Sequence, residues 1–176
     1  MANREALREL QTRLASRLQA ARSEGVSASW LAVKVGEANY LFPLSQSGEI
    51  FPLTNIQLVP YARPWFMGVI NLRGSLYGVV DLASFMGDGS TRGRGEQSLA
   101  ESSVITFHAA LELNCALMVD GLAGLRKRDA FSASAVPPAG SPVYFGSLLT
   151  DLHGVHWQEI NLQSLSQLSE FLSISA

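Results

Sequence analysis

The chain contains a single cysteine, Cys115, among its 176 residues. An internal disulfide needs two thiols and a cysteine-rich zinc site more, so both are excluded. A lone thiol fits a reducing cytosol. Charge is scarce too. Asp, Glu, Lys and Arg make up 16% of the chain, where an ordinary globular protein carries about 25%. Charged side chains are seldom buried, so the deficit falls on the surface, as expected of a protein that docks against others. There is no basic excess: 13 Lys and Arg against 15 Asp and Glu leave a formal net charge of −2. That argues against a nucleic-acid partner, which calls for a cationic face. Long apolar runs are missing as well. Trp65 to Leu72 is short and runs straight into Arg73, and the stretch around Cys115 is broken by Glu112 and Asp120. A bilayer span takes about 20 predominantly apolar residues, so no membrane insertion is expected. Arg4, Arg8, Arg13, Arg17 and Arg22 punctuate the N-terminus where a signal peptide would carry its apolar core.

The parts of common catalytic sites are also wanting. Gly87, Gly89, Gly93 and Gly95 crowd into the segment Gly87 to Ser98, but no Gly-Lys-Ser/Thr follows, so it is not a phosphate cradle. Ser75 follows Arg73 and Gly74 without a Gly-x-Ser-x-Gly elbow. Asp151, His153 and His156 are close in sequence. On a strand, however, residues 151 and 153 share a face and 156 points away, so solvent-facing or capped side chains are expected rather than a metal site. His108 sits in an apolar strand as a satisfied or edge histidine. Cys115 reads as a small buried hydrophobe, not a nucleophile. No catalytic residue, metal or cofactor is expected.

What is present is strand texture between two helical segments. Leu7, Leu10, Leu14, Leu18 and Ala21 recur at three- and four-residue steps, predicting an amphipathic helix over Asn3 to Ser23, capped by Asn3 and stopped by Gly25. It either packs on its own domain or, lying outside the remaining pattern, contacts a partner. Trp30 to Val35 alternates, with Leu31, Val33 and Val35 on one face. Further strands are expected at Tyr40 to Leu44, Ile50 to Val59, Val69 to Leu72 and Leu76 to Leu82. Gly87 to Ser98 reads as a mobile loop. A second set covers Val104 to His108, Cys115 to Val119 and Leu122 to Lys127. After a loop at Ser132 to Ser141 come closing strands at Val143 to Leu149 and Val155 to Ile160. Leu162, Leu165, Leu168 and Leu172 predict a terminal helix. Short strands at close spacing suggest barrels. The strand–turn–strand pattern at Trp30 to Leu44 recurs at Ser103 to Val119, suggesting two similar ones.

The most specific stretch is Leu58 to Leu82, LVPYARPWFMGVINLRGSLYGVVDL. Pro60 and Pro64 bracket a tight connection, and Gly68 admits a close backbone approach before a strand. Asn71, Leu72, Arg73 and Gly74 lead through a hairpin tip, and Asp81 ends the next strand, where its carboxylate is placed to hold a turn. This pattern, with Gly-Val-Ile-Asn-Leu-Arg-Gly at Gly68 to Gly74, Val-Asp-Leu at Val80 to Leu82, and a second Val-Asp at Val119 and Asp120, resembles the CheW-like family of chemotaxis coupling proteins. The N-terminal helix and Pro-Tyr-Ala-Arg-Pro-Trp-Phe at Pro60 to Phe66 are similar to its twitching-motility branch.

The resemblance implies a mainly β fold of two five-stranded SH3-like barrels sharing a core, with an N-terminal and a short C-terminal helix. The expected division is a helix at 1–24 and a CheW-like domain at 28–172. Within it, the first barrel spans about 28–86, a loop 87–98, the second barrel about 99–160 and the terminal helix 161–172. It further implies a cytoplasmic, non-enzymatic adaptor, a monomer or weak dimer alone, recruited to membrane-associated receptor arrays. Its partners would be the cytoplasmic tip of a methyl-accepting chemoreceptor and the regulatory domain of a CheA-type histidine kinase, in a system controlling type IV pilus twitching motility. Leu53, Asn55 and Arg73 are the implied contact residues. Leu53 is expected to face outward with Asn55, and Ile56 inward. Asn55 stands where many members carry an acid, so backbone carbonyls or another carboxylate such as Asp81 are expected to satisfy Arg73. The other class of function is a small-ligand-binding or enzymatic barrel with an unrecognised site. A deep polar pocket would favour that; a shallow apolar groove between the barrels favours the adaptor.

Overall fold

Alternating apolar residues build the strands, and a computed structural model of the chain, describing residues 2–23, 28–87 and 96–175, shows how they pair. After helix α1 (Ala2–Ser23) come β1 (Ala28–Val35), β2 (Ala38–Pro43), β3 (Ser47–Pro52), β4 (Phe66–Leu72) and β5 (Ser75–Asp81). Two short helices, α2 (Leu82–Phe85) and α3 (Glu96–Glu101), precede β6 (Ser103–Phe107), β7 (Cys115–Val119), β8 (Gly121–Lys127) and β9 (Phe131–Ala135). The chain closes with β10 (Phe145–Asp151), β11 (His156–Ile160), α4 (Leu162–Gln167) and α5 (Ser169–Leu172).

The strands form two sheets, one in the order β8-β1-β2-β11-β10-β9 and the other β3-β6-β7-β5-β4. Each curls toward a barrel because one bent run supplies both of its edges. β8 and β9 are halves of a run turned by a 3-10 segment at Arg128–Ala130, and they occupy opposite ends of the first order. In the second, the chain beyond β3 crosses to β4, where Gln57 and Val69 exchange N–H···O bonds of 2.8 and 2.9 Å. Gly68 permits that crossing. Its φ is +137°, and a Cβ there would collide with the Gln57 carbonyl oxygen.

The two sheets are repeats of one plan. The antiparallel pair β1–β2 corresponds to β6–β7, and the parallel pair β2–β11 to β7–β5. Asp81 and Asn161 both stand at a helix N-cap, and their backbone N–H groups donate to Trp65 and Tyr144 carbonyls at 2.9 and 2.7 Å. The turns feeding β4 and β10 match too: Phe66 N–H bonds Arg63 O at 2.9 Å, and Phe145 N–H bonds Pro142 O at 3.0 Å. The recurrence between Trp30–Leu44 and Ser103–Val119 is therefore a correspondence of strands.

This arrangement corrects the expected division into a first barrel at 28–86 and a second at 99–160. Each half of the chain gives its first two strands to the barrel that the other half completes. A break near the Gly-rich segment separates the repeats, not the barrels. Of the expected loop at 87–98, residues 88–95 lie outside the described residues, and 96–98 belong to α3. The expected loop at Ser132 to Ser141 instead begins inside β9, because residues 131–135 pair with β10. The terminal helix at 161–172 is two short helices, since Leu168 adopts an extended conformation (φ −72°, ψ 122°) between them.

Alternation explains the core. Ile70, Leu72, Val79, Val104, Ala116 and Met118 fill one barrel, while Ala32, Leu41, Leu149 and Trp157 fill the other. The opposite faces of the same strands, with Leu31, Val33, Val35, Phe42, Ile105, Leu117 and Val119, meet in a third cluster joined by Leu162, Leu165 and Phe171. Trp65 stacks on Phe171 there at 6.2 Å. The barrels share this layer, so neither is independent of the other.

Helix α1 belongs to that layer. Leu14 and Leu18 are 5% and 2% exposed and part of the shared cluster. Buried Gln11 donates from Nε2 to Ser103 Oγ at 2.6 Å. Leu10, expected on the same face, is 45% exposed; Gln11 takes the inward position. Asn3 lies within the helix rather than capping it, and Gly25 and the end of the 1–24 segment fall outside the described residues.

Candidate functional site

The connection expected between Pro60 and Pro64 is a double turn. Tyr61 follows Pro60 at φ +58°, and Pro64 lies inside the turn closed by the Phe66–Arg63 bond. The segment is tied to the chain's end, where Arg63 N–H donates to Ile174 O at 2.8 Å. It delivers β4 to the hairpin.

At the hairpin tip, Leu72 pairs with Ser75 across two residues, Arg73 at φ +51° and Gly74 at φ +84°. Positive φ at both centres makes a type I′ turn, which matches the twist of the flanking strands. Asn71 Oδ1 accepts from Gly74 N–H at 2.9 Å and braces the turn. The Arg73 side chain therefore leaves from a fixed backbone. Its Nη1 lies 2.9 Å from Glu49 Oε2 and 3.0 Å from Oε1, and its Cζ sits 5.5 Å from the Phe51 ring centroid. Glu49 and Phe51 stand two apart on β3, so one face of that strand supplies both contacts.

Of the expected alternatives, backbone carbonyls or another carboxylate such as Asp81, a carboxylate meets Arg73, and it is Glu49 rather than Asp81. Asp81 is 2% exposed and stands at the N-cap of α2 without a side-chain capping bond. Glu49 supplies the carboxylate because β3 packs beside the hairpin. The sequence carries no local sign of this, since residues 49 and 73 belong to different strands. The Arg73–Glu49 pair forms a ridge between two depressions. One, of about 360 Å3, lies toward Tyr77, His108 and Asn114; the other, of about 270 Å3, lies toward α1 at Thr12, Ala15 and Ser16.

Leu53 and Asn55 line a different depression, of about 640 Å3, with Ile56, Leu58, Met67, Leu99 and Arg8. Arg73 is not among its lining residues, so the three expected contact residues do not share one hollow. Nor do Leu53 and Ile56 point to opposite sides, as a regular strand would require. Residues 53–56 are not in a strand, and both side chains pack on the Ile70–Leu72 cluster, half-buried. Asn55 is exposed beside them.

The other chemical groups serve the fold. Burial pushes the Cys115 thiol up to about 12, which keeps it protonated. Asp151 Oδ2 accepts from Trp157 Nε1 at 3.1 Å, and Oδ1 accepts from the His153 and Val155 N–H groups at 2.8 and 3.0 Å. The indole bond, followed by those backbone bonds, holds this carboxyl below its usual value. His156 Nδ1 is 3.0 Å from Thr150 Oγ1. His108 Nδ1 accepts from Ala110 N–H at 3.0 Å, capping a 3-10 turn. Among the described residues no three His, Cys, Asp or Glu converge on a possible metal site. No described helix is long and apolar enough to cross a membrane.

Comparison with known proteins points the same way as the hairpin. A family profile described as the CheW-like domain matches residues 29–168. The chain is 26% identical to protein PilI of Pseudomonas aeruginosa over 170 residues, covering 93% of this chain and 89% of that protein. The scaffolding protein TtCheW of Thermoanaerobacter tengcongensis shares the fold, with a TM-score of 0.58 at 18% identity over 77% of this chain and 89% of its own.

Proposed function

This chain belongs to the CheW-like domain family, and on that premise we propose that it couples a chemoreceptor to a CheA-type histidine kinase. Members of the family are scaffolds and adaptors rather than enzymes. The work is positional. An adaptor that binds receptor and kinase at once holds them in register, and any receptor state that fits the complex better biases the kinase by that coupling free energy. Neither partner needs a chemical step from the adaptor.

The family match over 29–168, with Arg73 fixed at a type I′ hairpin tip, carries this proposal. The receptor-facing surface in it is the β4–β5 hairpin and the segment before Pro60, with Leu53, Asn55 and Arg73 in contact. The kinase's regulatory domain is the second partner. Alone the protein is a monomer or weak dimer in the cytoplasm, and it joins membrane-associated arrays through the receptor. The system served is the type IV pilus that drives twitching motility. Similarity to PilI over most of the chain, and the Pro60 to Phe66 wording, support that choice.

Reconstitution tests the proposal. Purified adaptor, the kinase of the pilus system and a soluble fragment of its receptor's cytoplasmic tip should form a ternary complex, with kinase activity dependent on the adaptor. Absence of binding to either partner overturns the coupling role. Binding to a flagellar kinase in preference to the pilus one overturns the branch.

A further inference from the structure

The hollow that holds Leu53 and Asn55 has a wall lying outside the family's domain. It runs into a neighbouring depression of about 190 Å3, since Arg8, Leu53, Thr54 and Ala100 line both. Helix α1 forms that side of the joint groove, and α1 lies wholly before the matched residues 29–168. The helix is held in place by Leu14, Leu18 and the Gln11–Ser103 bond, so Arg4 and Arg8 occupy set positions on the rim.

The chemistry of the groove is one-sided. Its floor is apolar: Leu53, Ile56 and Met67 are half-buried, and Leu58 is 79% exposed. Arg4 and Arg8 are both exposed, and among the described residues neither guanidinium is paired with a carboxylate. No Asp or Glu is among the residues lining either depression. A carboxylate arriving beside the floor meets two positive charges and no acid among the lining residues; an ammonium meets repulsion. Next to an apolar floor those charges are less screened than in open water. The surface is concave, which suits a protruding ridge of side chains rather than a flat lipid surface.

We propose that α1 makes this groove selective for a protein segment whose apolar ridge is flanked by a carboxylate on the Arg8 side. This rests on the proposed function in one respect: the natural occupant is the receptor segment that docks at Leu53 and Asn55. The helix is then a selectivity element added to a shared domain, discriminating among receptors by charge at the rim while the apolar floor supplies common affinity.

Synthetic amphipathic helical peptides test it on the full chain. Three peptides of equal length carry leucines on one face and Glu, Gln or Lys along one flank, and affinity is read by fluorescence anisotropy. The Glu peptide should bind tightest, about fivefold better than the Gln peptide, with the Lys peptide weakest. Arg8→Glu should offset the charge of Arg4 and erase that order, and Leu53→Ser should weaken all three alike. Arg8 is exposed, so a wild-type melting curve for its variant is expected; Arg8→Gln, which should shrink the preference for the Glu peptide, serves if Arg8→Glu melts early. An undiminished preference for the Glu peptide in the Arg8 variants, equal affinity of the wild-type chain for the Glu and Lys peptides, or no peptide binding overturns the inference. Arg8-dependent sedimentation with phosphatidylserine vesicles overturns it in favour of a lipid surface. Arg8-dependent self-association overturns it in favour of a second copy. Receptor capture with the same variants separates the two proposals. If Leu53→Glu loses the receptor while Arg8→Glu leaves the peptide order unchanged, the receptor site stands and this inference fails. If Arg8→Glu erases the order while Leu53→Glu still captures receptor, the acid preference stands and the receptor site fails.

Discussion

Arg73 and Glu49 are held together by a 2.9 Å ion pair across two separate strands, one end fixed by a type I′ turn and the other by β3. The pair is solvent-accessible, with side chains 73% and 39% exposed. A pair so exposed contributes little to stability, and its use is to set the direction of a guanidinium on the surface.

Arg73→Ala should therefore lower stability by no more than about 1 kcal/mol, while disrupting assembly with receptor and kinase. Arg73→Lys should impair assembly too, because an ammonium cannot reproduce the contact of the planar guanidinium with the Phe51 ring. Arg73→Gly should melt at or above Arg73→Ala, since it adopts φ +51° without the left-handed penalty of about 1 kcal/mol. Thermal melts and ternary pull-downs of the three variants check this. Wild-type assembly by Arg73→Ala would mark Arg73 as a turn residue alone.

Leu53→Glu should weaken receptor binding while leaving a cooperative fold. Leu53 is half-buried on the Ile70–Leu72 cluster, so a loss of about 1–2 kcal/mol is also expected. Receptor affinity measured beside a urea titration separates the two effects. Unchanged affinity would move the contact elsewhere.

Helix α1 should be required for full stability. Leu18→Ala should cost about 2–5 kcal/mol, the range for deleting a buried leucine side chain. Removing residues 1–24 should lower the melting temperature and expose the shared layer to a hydrophobic dye. An unaltered transition would mean that the helix detaches readily.

Gly68→Ala should destabilise by more than about 2 kcal/mol, because the new Cβ collides with the Gln57 carbonyl at a φ that L-residues avoid. Amide exchange at Gln57 and Val69 should rise with it, reporting the opened barrel edge.

Stability should fall at alkaline pH. Burial raises Cys115 from 9.0 to about 12 and Tyr144 from 10.0 to about 12. For each, the unfolded chain loses its proton first. The stabilisation is complete below the unfolded value and is lost as pH rises through the folded one. Urea titrations between pH 8 and 12 should show the decline, and Cys115→Ala should flatten its first part. A pH-independent midpoint would refute the assignment.

Much of the fold is written locally. The alternation at Trp30 to Val35 placed Leu31, Val33 and Val35 on one buried face, and the leucines at 162 and 165 lie buried on a helix. The hairpin at Arg73 and Gly74 was legible because a two-residue turn with glycine is a property of adjacent residues. Leu10 lies on the predicted stripe yet faces out, because helical spacing defines a stripe without saying which edge of it meets the protein, and Gln11, bonded to Ser103, takes the inward position.

Where most strands lie, where the β4–β5 hairpin turns, and, through Gly68 to Gly74 and Val80 to Leu82, which family the chain resembles can all be read along the residues. Periodicity and turn chemistry act over a few residues, so they can be seen one segment at a time. Three-dimensional packing fixes which strands pair, so that each half of the chain completes the barrel begun by the other. It alone paired Arg73 with Glu49 and not Asp81, and set Arg8 beside Leu53. Those neighbours are brought together by burying both faces of the central strands at once, and that constraint belongs to the whole chain, not to any one segment.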